Sequence, residues 1–296
     1  MIGAVDIGGT KIAVAAVTRG GEIRARLVVP TAPEAGPQHA VNEIIRLLKD
    51  VSAQSAERLD GIGIGCTGPV DPITGTIGHV PFLPGWDGLP LVDELHRAFG
   101  VQVAMENDAD AGALAEASQG AGRNASRFLY ITIGTGIGGA FIIDGQIYRG
   151  AGGFHPEFGH QVVAMDGPEC TCGARGCWEA LASGPALAQQ GHRTTARDVC
   201  DAARNAVPDA VAAVDQFGFY LGLGLANLVT LLVPDVVALG GGVMRNADLF
   251  RDRIAATVRS TCRLVPTEKI SIVPAMLGAD TALVGAAQVW IKRFEA

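Results

Sequence analysis

A strand–glycine–strand run that opens an alternation of helical and extended segments, and then recurs, constrains this chain more than any other feature. Residues 2–7, 12–17 and 23–29 are rich in β-formers and are joined by Gly8-Gly9 and Gly20-Gly21, which predicts an antiparallel meander. A helix-period segment with Val41, Ile44, Ile45 and Leu48 on one face follows. Next come a strand (59–65), a helix (91–99), a strand (101–106) and a helix (109–119). The pattern restarts with strands at 128–133 and 140–143 and an Asp144-Gly145 turn to residues 146–148. An irregular insert, 150–184, precedes several helical segments, the longest from about 209 to 232. A strand (236–239), the loop Gly240-Gly241-Gly242, a helix, a strand (270–273) and a helix from Thr281 complete the chain. A meander followed by alternating α and β, twice over, implies two related α/β lobes with a cleft between them. The expected division is a small lobe of residues 1–119 plus the C-terminal helix 281–296, and a large lobe of residues 120–280 that carries the insert. No low-complexity linker separates them, so the lobes are expected to interleave.

Composition narrows the class. With 48% apolar and 18% charged residues in 296, the chain buries a sizeable core and is not disordered. Forty glycines, near twice the ~7% of average proteins, show no Gly-X-Y period and so belong to turns and close backbone approaches. A net charge of −7 offers no general basic surface, which argues against nucleic acid as a partner. The N-terminus has no basic n-region of a signal peptide. The apolar stretch 220–233 is broken by Asn227 and Thr230 and is short for a bilayer span, so no membrane partner is expected. Three clustered and three scattered cysteines suit a cytoplasmic chain with one metal site better than a disulfide framework.

Three glycine loops each follow a strand: Asp6-Ile7-Gly8-Gly9-Thr10-Lys11, Gly134-Thr135-Gly136-Ile137-Gly138-Gly139 and Gly240-Gly241-Gly242. Bare backbone can approach an anion and aim successive N–H groups at it; each loop alone reads equally well as a plain turn. Gly134, Gly136 and Gly139 have G-x-G-x-x-G spacing, as do Gly63, Gly65 and Gly68. A strand follows the first set and prolines follow the second, where a dinucleotide site needs a helix. No Gly-Lys pair exists, so a Walker loop is absent. What remains is a phosphate-cradling hairpin in each lobe. Asp6, acidic beside an anion site, makes sense if Mg²⁺ bridges it to phosphate, or else as a turn cap.

His160, Cys170, Cys172 and Cys177 have the donor types and spacing of a closed tetrahedral Zn²⁺ site, structural rather than catalytic; free buried thiols are the alternative. Acids around the cluster, with Arg175 the one cation between them, disfavour a zinc-ribbon nucleic-acid module. The same loop carries Glu157 and Glu179, and His160 has a second ring nitrogen, a set suited to a polyhydroxylated substrate. Asn107 and Asp108 stand where a strand enters a helix. They read either as a helix cap or as an orienting amide and a base that takes a hydroxyl proton as it attacks phosphorus.

Taken in order, Asp6 to Lys11, Glu106-Asn107-Asp108-Ala109, Ile133 to Gly139, Glu157-Phe158-Gly159-His160 and Cys170 to Glu179 resemble the ROK sugar kinases. The match runs along nearly the whole chain. The resemblance implies a two-lobed actin-like, ribonuclease-H-like ATPase fold. It also implies ATP- and Mg²⁺-dependent phosphorylation of a hexose, usually at the 6-hydroxyl. Asp108 would then be the general base, and Gly68, Asn107, Glu157, His160 and Glu179 would hold the sugar. Asp6, Gly8, Gly9, Thr10, Lys11, Gly134, Thr135, Gly136, Gly138, Gly241 and Gly242 would bind ATP, the third loop near adenosine. His160 and the three clustered cysteines would hold zinc, and a homodimer or higher oligomer is expected. Some members are repressors with an added helix-turn-helix; here the sequence opens on the first strand, so an enzyme is expected. Glucose is the favoured acceptor, with fructose or N-acetylmannosamine as alternatives, polyphosphate as an alternative donor, and a non-catalytic sugar binder as the rival class. Phe82 departs from the Asn common at its position in the family, which implies a changed sugar contact.

Overall fold

The structure is a computed structural model and describes residues 1–295; Ala296, the last residue of the expected C-terminal helix, lies outside the described residues. The chain divides into two compact units. One comprises Met1–Arg123 and the segment that resumes at Leu277; the other is Asn124–Met276.

In the first unit, β1 (Ile2–Ile7), β2 (Lys11–Val17) and β3 (Ile23–Pro30) form the meander. Helix α1 (Pro37–Ser55) starts on a proline, whose missing N–H is no loss in a first turn, and buries Val41, Ile44, Leu47, Leu48 and Val51. β4 (Gly61–Cys66) follows. A ribbon of β5 (Val70–Asp71) and β6 (Thr76–Ile77) comes next, too short to show any period in sequence. Then come α2 (Leu91–Phe99), β7 (Gln102–Asn107) and α3 (Asp108–Gln119). The sheet order is β3-β2-β1-β4-β7, with the meander antiparallel and β1, β4 and β7 parallel. Register pairs Ile7 with Cys66 and Cys66 with Asn107, so the three parallel strands end level. That carboxyl edge is where an open α/β sheet presents its ligand-binding loops.

The second unit repeats the plan. It begins with β8 (Arg127–Ile133), β9 (Ile137–Ile143) and β10 (Gln146–Ile147). β9 starts three residues before the expected strand because Ile137 and Gly138 pair with Ile133 and Thr132; glycines carry no period, so sequence pattern misses them. The insert is not irregular throughout, since it ends in α4 (Trp178–Ala182), and α5 (Gly184–Gln190) follows at once. Helix α6 (Ala196–Arg204) opens with a Thr195/Asp198 capping box, in which each side chain accepts from the other residue's backbone amide. Then come α7 (Pro208–Leu232), β11 (Val236–Gly240), α8 (Arg251–Thr261) and β12 (Ser271–Pro274). The sheet order β10-β9-β8-β11-β12 matches the first: three antiparallel strands, then two added in parallel.

The stretch expected to be short for a bilayer lies in α7, which at 25 residues is long and apolar enough to cross one by length and composition. Its Phe217, Leu221, Leu225 and Leu228 are buried in the unit's own core with Trp178, Phe250 and Ile254, and that packing accounts for its apolar character. The last helix, α9 (Thr281–Phe294), lies in the first unit against α3 and β4. The approach is so close that a Cβ on Gly63 of β4 would stand 1.8 Å from the Ala286 carbonyl oxygen.

Candidate active site

Asp6, Gly68, Asn107 and Asp108 gather at the carboxyl edge of the first sheet. The turn at residues 8–11 closes through the Gly8 N–H, which donates to the Lys11 carbonyl at 3.0 Å. The buried Thr31 hydroxyl donates to the Gly8 carbonyl at 2.7 Å and fixes the other side of the turn. Thr31 carries no motif and was not foreseen; a Thr directly after the last meander strand is its only sequence signal. Thr10 and Lys11 are exposed at the tip.

Asn107 serves both readings of its position. Its Oδ1 accepts the Ala109 N–H at 2.8 Å, capping α3, while its Nδ2 donates to the Gly68 carbonyl at 3.0 Å. Gly68 has φ +81° and lies so close to Val80 that a Cβ would meet Cγ2 at 2.3 Å, so only glycine can present that carbonyl. With the cap supplied by Asn107, Asp108 begins the helix as an additional acidic group. It accepts the Ala109 N–H at 2.8 Å. Burial pushes its carboxyl up to about 7, the nearby Asp6 and then Asp110 add to this, and the Ala109 amide opposes it. Asp6 is itself raised to about 6 by burial, against the pull of Lys11 and Arg26. Burial and the same two aspartates push the Cys66 thiol up as well. A carboxylate poised near neutral pH is fit to act as a general base. A second acid beside it favours a divalent cation with oxygen ligands.

In the second unit, two glycine loops meet at the end of β8. Gly134 N–H donates to the Gly136 carbonyl at 2.9 Å, closing the hairpin tip with Thr135 exposed. Gly241, at φ +89°, sits so close that a Cβ would be 2.2 Å from the Ile133 carbonyl oxygen, and the exposed Gly242 follows. Gly138 lies in β9, paired with Thr132, rather than in the loop. Glu179, at the start of α4, accepts the Ile137 N–H at 2.8 Å, and its Oε2 fills the space a Cβ on Gly136 would need. On the other side of the same residue, Gly159 packs on the Ile137 carbonyl. Ile137 thus joins the second glycine loop, Glu179 and the turn that carries His160. Glu157 is exposed, with Oε1 3.5 Å from His155 Nε2.

His160 Nδ1 lies 3.5 Å from Cys170 Sγ, Cys172 Sγ lies 3.6 Å from Cys177 Sγ, and all four donor atoms fall within 4.8 Å of one another. A tetrahedral site with metal–sulfur bonds of ~2.3 Å needs donors roughly 3.8 Å apart, so three thiols and one imidazole could hold one metal ion here. With Nδ1 turned toward the sulfurs, Nε2 is the nitrogen that remains for another partner. The Ala174 amide lowers the Cys172 thiol, while burial and the neighbouring thiols raise Cys177 to about 12.

Two α/β units with the same strand order, glycine turns at their strand ends and a Cys/His cluster in the second describe a two-lobed protein of the actin-like ATPase fold. The match to the ROK family model extends over residues 2–293. The glucokinase of Thermotoga maritima is 31% identical over 308 residues, spanning 98% of this chain and 96% of that protein. The ROK hexokinase structure from Thermus thermophilus aligns with a TM-score of 0.87 at 34% identity, covering 100% of this chain and 99% of that one. The ROK family glucokinase from Streptomyces griseus, solved with glucose and AMPPNP, aligns at 0.83 with 33% identity and 97% of each chain. The chain belongs to the ROK family.

Proposed function

We propose that this chain is an ATP-dependent hexokinase that transfers a phosphoryl group to the 6-hydroxyl of glucose. The observation that carries the reading is the Asn107–Asp108 pair, in which one residue caps the helix and latches Gly68 while the other keeps a carboxyl near pKa 7. In this reading Asp108 accepts the hydroxyl proton as the sugar oxygen attacks the γ-phosphorus, and Asn107 orients that hydroxyl. Asp6 holds a divalent cation, Mg²⁺ in practice, which when bound neutralises charge on the triphosphate. The amides of the glycine turns at residues 8–11, 134–136 and 241–242 take the phosphates and the nucleotide, with Thr10, Lys11, Thr135 and Gly138 beside them. Gly68, Glu157, Glu179 and His160 Nε2 contact the sugar hydroxyls. His160 Nδ1, Cys170, Cys172 and Cys177 hold a structural zinc that stiffens the turn carrying Glu157 and His160.

The likeness over nearly full length to proteins named glucokinase and hexokinase supports the class, and a coupled assay for ADP tests it. With ATP, Mg²⁺ and a panel of glucose, fructose and N-acetylmannosamine, glucose is expected to give the highest kcat/KM, and Asp108→Ala to lower kcat by ~10²–10⁴. A different preferred sugar would reassign the acceptor. Absence of ADP formation with every sugar, and of sugar phosphate when polyphosphate replaces ATP as donor, would remove the kinase reading in favour of a sugar-binding protein or a regulator.

A further inference from the structure

Residues 78–88 form a loop after β6 that is pinned along its length. The Gly78 N–H donates to the Pro69 carbonyl at 2.8 Å, the Gly88 N–H to the Ile77 carbonyl at 2.8 Å, and the Leu83 N–H to the Val80 carbonyl at 2.9 Å. Val80, Leu83 and Trp86 are buried beneath it, whereas Phe82 is left 52% exposed. The loop's own core packing therefore does not account for an aromatic side chain at this position. The ring is nevertheless held: its Cδ2 and Cε2 lie 2.9 Å from where a Cβ on Gly9 would stand, flush against the glycine turn. Two residues earlier, Val80 packs in the same way on Gly68, whose carbonyl is latched by Asn107. One loop thus touches both the turn assigned to phosphate and Gly68, which Asn107 latches, and it leaves Phe82 about half exposed.

We propose that Phe82 is a specificity-determining residue, an apolar platform for the C–H face of a hexopyranose whose ring hydroxyls are equatorial. The inference rests on the hexokinase reading and adds the sugar configuration to it. A phenyl ring offers neither donor nor acceptor. Equatorial hydroxyls project sideways to polar partners and leave C–H groups against the ring, so both surfaces lose water without an unmet hydrogen bond. An axial hydroxyl on the stacked face is pressed onto carbon and loses its water with no replacement. Discrimination arises from that penalty against the epimer rather than from a bond to the preferred sugar.

The test compares wild type, Phe82→Asn and Phe82→Leu with glucose, its C2 epimer mannose and its C4 epimer galactose. Leu keeps an apolar side chain on Gly9 and removes the flat ring, so loop packing and stacking are separated. The expected result is that the glucose-to-epimer ratio of kcat/KM falls about tenfold for at least one epimer in both variants, with KM for ATP changed least in Phe82→Leu, which keeps the packing on Gly9. Unchanged ratios in either variant, or an equal loss on all three sugars, would overturn the platform while leaving the kinase reading intact. If wild type forms no ADP, calorimetric titration with glucose decides. Binding weakened about tenfold in both variants upholds the platform without the kinase; equal affinity, or no binding by any of the three proteins, overturns it.

Discussion

The Glu116 carboxylate accepts the N–H of Leu277, 161 residues further along the chain, at 2.8 Å. Its other oxygen accepts the Ala121 N–H at 2.9 Å, and Gly120 has no Cβ because that oxygen would lie 2.0 Å from it. The first unit ends at Arg123 and resumes at Leu277, so one fully buried carboxylate ties down both the outgoing and the returning segment. Truncation would strand two partly buried amides and leave a cavity. Glu116→Ala is expected to cost about 3–5 kcal/mol and Glu116→Gln less, since a carboxamide still accepts one of the two bonds. Urea unfolding checks this; a loss under ~1 kcal/mol for Glu116→Ala would show that the segments hold without it.

The raised carboxyls set a pH dependence with a definite sign. Asp108 must be deprotonated to act as a base, so kcat/KM should fall as pH drops through about 7. Stability runs the other way. A carboxyl whose folded value lies above its ordinary value of 3.8 binds more protons folded than unfolded, so its contribution is full below about 4 and is lost as pH rises through about 7. Asp108→Asn removes that cost and should stabilise the protein by up to about 4 kcal/mol at pH 8 while abolishing most turnover. The gain should shrink as pH falls from about 7 and be gone at about pH 4. Melting curves of both proteins across pH 4–9 read the crossover; a variant less stable at pH 8 would contradict it.

Much of this arrangement was legible in the sequence, and the reasons differ by element. Strand β1 showed in its run of β-formers closed by Gly8-Gly9, and helix α2 in a helical stretch closed by Gly100. The Gly138 end of β9 and the β5–β6 ribbon were not visible, because small residues and two-residue strands leave no hydrophobic signal. The Cys/His donors could be named because their spacing is short, so local chain geometry brings them together. Glu116 and Thr31 could not, since each acts on backbone groups, and the amides and carbonyls they meet are the same for every residue type. Phe82 could be noted as unusual, but its contact with Gly9 bridges 73 positions and appears only in the fold.

Asn107 joins the helix cap to the Gly68 latch, and the two roles can be separated. Asn107→Asp keeps an oxygen for the Ala109 N–H but has no donor for the Gly68 carbonyl, and it adds charge beside Asp108. Asn107→Ala loses both. The expectation is a loss of about 1–2 kcal/mol for Ala and a smaller one for Asp, with kcat lowered in both. Because a neighbouring anion raises a carboxyl, the Asp variant should also move the acidic limb of the pH–rate profile upward. An unshifted limb would mean that the limb belongs to a group other than Asp108.

The four donors around Cys177 predict one tightly held metal ion per chain. Elemental analysis should find about one zinc, retained through dialysis and removed by a strong chelator at low pH, when the thiolates are reprotonated. Cys172 is exposed while Cys170 and Cys177 are buried, so Cys172→Ser leaves the core packing untouched and tests the metal alone. It should lower zinc content well below one and lower the melting temperature. The damage should centre on the turn at residues 157–160, because Cys177 Sγ also donates to the His160 carbonyl at 3.5 Å and Cys177 immediately precedes α4. In the kinase reading, that loss appears as a raised KM for the sugar with KM for ATP little changed, since the glycine turns have their own backbone closures. Full zinc content in Cys172→Ser, or a metal-free wild type with an unaltered melting temperature, would show that the cluster is a set of packed thiols.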